Sequence, residues 1–72
     1  MKFAGSVEYD NYKGEWCDIL VEAPTMMSFE YQLKTLLKIK RNSSIFFATK
    51  IIGKRQIDIT QQMRQQCKNT TS

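Results

Sequence analysis

The chain has 72 residues, a length for one domain, and its 42% hydrophobic content with eight aromatic side chains excludes a disordered polymer. Histidine is absent, and the two cysteines, Cys17 and Cys67, lack Cys-x-x-Cys spacing, so the commonest general base and the usual zinc patterns are missing. The net charge of +4 is unevenly divided: residues 1–30 carry six acids against two bases (−4), and residues 31–72 carry nine bases against one acid (+8).

The first two elements are predicted as a β-hairpin. Residues 3–9 and 15–23 flank Asp10-Asn11-Tyr12-Lys13-Gly14, a turn-rich pentapeptide whose glycine can take a positive φ. Pairing Tyr9 with Glu15 gathers Phe3, Val7, Tyr9, Cys17, Ile19 and Val21 on one face. Lys2, Ala4, Ser6, Glu8, Trp16, Asp18, Leu20 and Glu22 fall on the other. The first face is apolar, as a half-buried antiparallel pair requires. Pro24 ends the second strand because it has no ladder donor.

A helix follows, capped by Thr25 or Ser28, with Phe29, Leu33, Leu36 and Leu37 forming one apolar stripe. Lys38, Lys40 and Arg41 crowd its carboxyl end, where positive charge is favoured, and Asn42-Ser43-Ser44 closes it. Residues 45–52 and 55–60 then form a second hairpin around Gly53-Lys54, a pair suited to a type II′ turn. Opposing Ile52 to Arg55 and Lys50 to Ile57 turns Phe46, Ala48, Ile52, Ile57 and Ile59 inward, interrupted by Lys50. Ile45, Phe47 and Ile51 then project outward. Thr60 can cap a short terminal helix, Gln61–Lys68, whose apolar residues are only Met63 and Cys67, and residues 69–72 are expected to fray.

These elements predict an α+β domain over residues 1–68: an antiparallel sheet of two β-hairpins, one α-helix between them packed on one face (ββαββ), and a short C-terminal helix. The segment Ser44-Ile45-Phe46-Phe47-Ala48-Thr49-Lys50-Ile51-Ile52 resembles the third strand of ubiquitin-like β-grasp domains, and the preceding hairpin and helix follow that order. The final strand and diglycine tail of that family are not evident, so conjugation is not implied.

No Walker, dinucleotide-binding or serine-nucleophile motif is present, and the carboxylates of the first hairpin fall where strand alternation puts solvated residues. The chain is therefore expected to be non-catalytic, with no cofactor, metal or small-molecule substrate. The longest apolar run, Ile45 to Ala48, is far short of the ~20 residues of a membrane helix. The first residues lack the apolar core of a signal peptide. A soluble cytoplasmic protein with unbridged cysteines is the expectation.

Two surfaces emerge as candidates. Trp16, Leu20, Ile45, Phe47 and Ile51 would project from the uncovered side of the sheet amid Glu8, Asp18, Glu22 and Asp58, the composition of a protein interface with Trp16 as its anchor. This predicts a protein-interaction module, self-associating or docking on a larger partner. Its size places it, by analogy, among inhibitors and adaptors, including those of phages and other mobile elements. The alternative surface is a nucleic-acid-binding ridge of Tyr31, Lys34, Lys38 and Arg41 on the helix, joined by Lys54 and Arg55 at the hairpin tip. The same ridge is also what the ordinary solvated face of a surface helix looks like.

Overall fold

A computed structural model describes residues 1–68; residues 69–72, the tail expected to fray, lie outside the described residues. The elements are β1 (Lys2–Asp10), β2 (Trp16–Ala23), α1 (Met26–Ile39), β3 (Ser44–Ile52), β4 (Arg55–Asp58) and α2 (Thr60–Lys68). The four strands form one antiparallel sheet in the order β2-β1-β3-β4. The expected α+β architecture is therefore present, and its shortest dimension, 17 Å, is that of two layers. No fifth strand joins the sheet among the described residues, so the likeness to β-grasp domains stops at element order.

The first hairpin is shifted two residues from the expected register: Tyr9 pairs with Cys17, Val7 with Ile19 and Gly5 with Val21. An even shift keeps every side chain on its face, so the apolar and polar faces are as the alternation predicted. The loop is held by short polar side chains. Asn11 Oδ1 accepts from the Lys13 and Glu15 amides at 2.9 and 3.3 Å, and Asp10 Oδ1 accepts from the Tyr12 amide at 3.0 Å. Gly14 supplies the expected positive φ, and Tyr12 adopts one too, at 74°.

Thr25, not Ser28, caps α1: its hydroxyl accepts from the Ser28 amide at 3.2 Å. Phe29 and Leu33 are fully buried, Leu36 and Leu37 pack at the margin, and the Phe29 ring stacks on Phe3 with centroids 5.7 Å apart. The helix closes with the Lys40 amide donating to Leu36 O at 2.9 Å, which leaves Arg41 beyond it.

β3 departs from simple alternation. Val7 opposes Ile45 and Ser6 opposes Phe47, so Phe46 is inserted as a β-bulge. Ile45 and Ala48 are three residues apart, yet both are buried. Phe46 and Phe47 both turn to the other side, their rings edge to face at 6.1 Å. Two expectations are corrected by this one extra residue: Phe46 leaves the core, and Ile45 enters it. Further along, Gly53 has a positive φ and Lys54 does not, the pattern of a type II′ turn. Ile52 and Ile57 keep their inward parity but stay 43% and 37% exposed, because neither helix extends over that corner.

α2 docks beside α1 on the same face of the sheet. Ile59, just before the helix, and Met63 and Cys67 within it are spaced by four and form one buried stripe, which is how so polar a segment is held. Burial pushes the Cys67 thiol above its ordinary range; the nearby Glu30 carboxylate adds to the rise and Lys34 opposes it. β4 stops at Asp58, and beyond it Ile59 and the first residue of α2 supply hydrogen bonds to β3 instead. The Ile59 amide donates to Ala48 O at 2.9 Å, and the Ala48 amide donates to Thr60 Oγ1 at 3.0 Å. Arg64 reaches the bulge itself, with Nε donating to Ile45 O at 3.1 Å and Nη2 to Phe46 O at 3.4 Å. Both main-chain carbonyls at the bulge are thus paired.

Candidate protein-binding face and edge

With both helices on one side, no element among the described residues covers the other side of the sheet. Following the register across the strands places Trp16, Asp18, Leu20 and Glu22 of β2 on this outer face. Lys2, Ala4, Ser6 and Glu8 of β1 join them, with Phe47, Thr49 and Ile51 of β3 and Gln56 and Asp58 of β4. The bulge adds Phe46. Trp16 is 63% exposed, Leu20 73%, Phe46 56% and Phe47 36%. Ser6, flanked by Leu20 and Phe47, is wholly buried between them, and its hydroxyl has no hydrogen-bond partner among the described residues.

Four of the five side chains expected to form the interface therefore share the outer face: Trp16, Leu20, Phe47 and the half-buried Ile51. Ile45 does not belong with them; it is 3% exposed and packs under the helices. Phe46 takes its place. The sequence carried a trace of this exchange, since Ile45 and Ala48 differ by an odd number of residues and can face the core together only across a bulge.

The uneven charge along the chain is resolved into two sides. Glu8, Asp10, Asp18, Glu22 and Asp58 share the outer parity with a single base, Lys2. Three ion pairs form among the described residues: Lys2–Glu22 at 3.3 Å, Lys34–Glu30 at 3.0 Å and Arg41–Asp10 at 3.7 Å. Glu8 and Asp18 are in none of them. They oppose one another directly and line a shallow hollow together with Trp16, Phe46 and Cys17. Asp58 accepts from the Thr60 hydroxyl and amide at 2.6 and 2.9 Å, which holds its carboxyl below the usual carboxylate range.

The basic ridge is less coherent in space than in sequence. Lys34 is paired with Glu30. Arg41 lies off the helix, its amide oxygen bonded to the Asp10 amide and its guanidinium 5.0 Å from the centre of the Tyr12 ring. Lys54 and Arg55 sit at the opposite end of the sheet, next to the Lys2–Ile51 pair. Tyr31, 71% exposed, points toward β2, lining a groove with Ile19, Leu20, Val21, Gln32 and Leu36.

β2 is an edge strand, eight residues long, whereas the opposite edge, β4, has four. Antiparallel pairing alternates, and the Asn11 amide donating to Glu15 O fixes its phase. Cys17, Ile19, Val21 and Ala23 therefore bond to β1, while the amides and carbonyls of Trp16, Asp18, Leu20 and Glu22 point away from the sheet. The Asp10 amide donating to Arg41 O on the far side of β1 obeys the same phase.

Among the described residues no three His, Cys, Asp or Glu side chains converge to hold a metal ion, and no helix is long and apolar enough to cross a membrane. No protein-family model matches the chain, and neither a curated protein nor a solved structure matches it.

Proposed function

We propose that this protein is a non-catalytic protein-interaction module, of the inhibitor or adaptor kind, that docks through the outer face of its sheet. The observation that carries the proposal is the exposed cluster of Trp16, Leu20, Phe46 and Phe47 on the side of the sheet opposite the two helices. Large aromatic side chains standing in water on a flat sheet, ringed by carboxylates, have the apolar centre and charged rim of an interface. Trp16 supplies the kind of anchor that dominates such contacts.

The test is affinity capture with the wild-type protein beside a Trp16→Ala, Phe47→Ala double variant, with light scattering on each. Neither side chain belongs to the core, so the variant should keep its circular dichroism spectrum. The proposal expects a bound partner, or a second copy, that the double variant loses. A wild-type monomer at all concentrations, capturing only what the double variant captures, would refute it.

A further inference from the structure

The groove beside β2 lies between a helix and a strand edge that is unpaired among the described residues, and the outer-face charge next to it is acidic apart from Lys2, which is taken up by Glu22. From this we infer that β2 accepts an extended peptide segment of the partner as a fifth strand, with basic residues at alternate positions and apolar residues between them. The inference rests on the interaction-module reading and names the chemistry of its partner.

Three features converge on that occupant. The outward amides and carbonyls of Trp16, Asp18, Leu20 and Glu22 form a row at the spacing a further antiparallel strand needs. A strand laid there alternates its side chains between the two sides of the sheet. Those on the helix side enter the groove of Ile19, Tyr31, Gln32 and Leu36, which is mostly apolar. Those on the outer side meet Asp18 and Glu8, which have no ion pair among the described residues, and the Trp16 ring at the rim of the same hollow. A Lys or Arg reaching into that hollow relieves the direct opposition of two carboxylates and lies against an aromatic face. Main-chain pairing provides affinity and the two alternating sets of contacts provide selectivity.

A second copy is disfavoured as the strand. Self-pairing of β2 with outer residues opposed to outer residues brings Asp18 and Glu22 of one copy against the same acidic edge of the other. The β4 edge of another copy carries one base, Arg55, and one acid, Asp58, and its four residues are too few to fill β2.

The experiment uses the full chain with isotope-labelled amides and synthetic heptapeptides. Arg-Val-Arg-Val-Arg-Val-Arg is compared with its Glu-Val counterpart, and with two Arg-Val versions N-methylated at one or the other alternate set of amides. The Arg-Val peptide is expected to shift the Trp16, Asp18, Leu20 and Glu22 amides and slow their hydrogen exchange. One methylated set should weaken binding roughly tenfold or more through the loss of several backbone hydrogen bonds, and the other should not. The Glu-Val peptide should not bind. A Glu8→Gln, Asp18→Asn variant should bind the Arg-Val peptide several-fold more weakly and with a flatter salt dependence.

Equal effects of the two methylated sets, equal binding of the acidic peptide, shifts confined to Phe46 and Phe47, or no binding at all would each overturn strand addition. Concentration-dependent shifts of the β2 amides without peptide would overturn it in favour of self-pairing. The broader reading fails separately, in the Trp16→Ala, Phe47→Ala comparison. Retention of partner loss there, with no response of β2 to the peptides, removes only the fifth strand.

Discussion

Gly5→Ala tests the packing that brings the bulge, the central strand and α1 together. Gly5 faces the helices from the middle of β1, opposite Val21 on one side and Ala48 on the other. A β-carbon built there lies 2.6 Å from Phe47 O, 3.1 Å from Phe29 Cζ and 3.2 Å from Ala48 Cα. The ring can rotate or slide by a few tenths of an ångström. The carbonyl cannot, because it belongs to the backbone of the strand paired with β1. Overfilling a packed interior costs about 1–3 kcal/mol, and a main-chain obstacle puts this site at the upper end. Reduced freedom of the unfolded chain returns about 0.4–1 kcal/mol. The net loss is then about 2 kcal/mol, against a total of roughly 4–11 kcal/mol for a domain of this size. Urea unfolding should be followed by far-ultraviolet circular dichroism, because Trp16 is already exposed in the folded state and reports folding poorly. With a slope near ~1 kcal/mol per molar, the midpoint should fall by about 2 M. Adding Phe29→Leu should not restore it, since the 2.6 Å contact persists and a cavity is added. A midpoint within about 0.3 M of wild type would refute the claim that β1 and β3 approach so closely here.

Ser6→Ala removes a buried hydroxyl that has no partner among the described residues and should raise stability by about 1 kcal/mol in the same urea assay, with the β2 and β3 amide shifts otherwise preserved. Arg64→Ala should cost about 1–2 kcal/mol by stripping both bulge carbonyls of their donor, and Arg64→Lys, lacking the fork, should recover only part of that. For Asp58 the folded state holds the carboxyl below its unfolded value, so its contribution is present at neutral pH and is lost as pH falls through the lowered folded value. Asp58→Asn should therefore be less stable than wild type at pH 7, with the gap closing in acid below about pH 4. The cysteines should label with a thiol reagent in order: the partly accessible Cys17 first, and Cys67, buried with a raised pKa, only as the protein unfolds.

Much of this architecture could be read from alternation and spacing. The stripe Phe29, Leu33, Leu36, Leu37 predicted the buried face of α1, and Gly53-Lys54 predicted its turn. The hairpin faces survived a register error because the error was even, and Trp16 and Leu20 stayed where they were expected. The bulge was harder, since it depends on two chains at once. Phe46 becomes the extra residue only because Val7 and Ser6 are matched to Ile45 and Phe47, and because Arg64, eighteen residues later, satisfies the carbonyl it frees. The basic ridge had correct helical spacing up to Lys38. Its break at Arg41 follows from where the helix ends and from an acid, Asp10, on a distant strand.

Local chemistry alone thus specified which segments are strands and helices, which side of each is apolar, and that acids and bases fall in different halves. Those properties depend on neighbours a few residues apart. Folding in three dimensions decided that β1 and β3 lie together, that α2 joins α1 instead of covering the aromatics, and that one long edge has no neighbour. It also turned a lengthwise division of charge into an acidic sheet face with two carboxylates beside Trp16 that form no ion pair among the described residues. Such outcomes depend on contacts between residues far apart in the chain, where burial of a shared apolar surface outweighs any local preference.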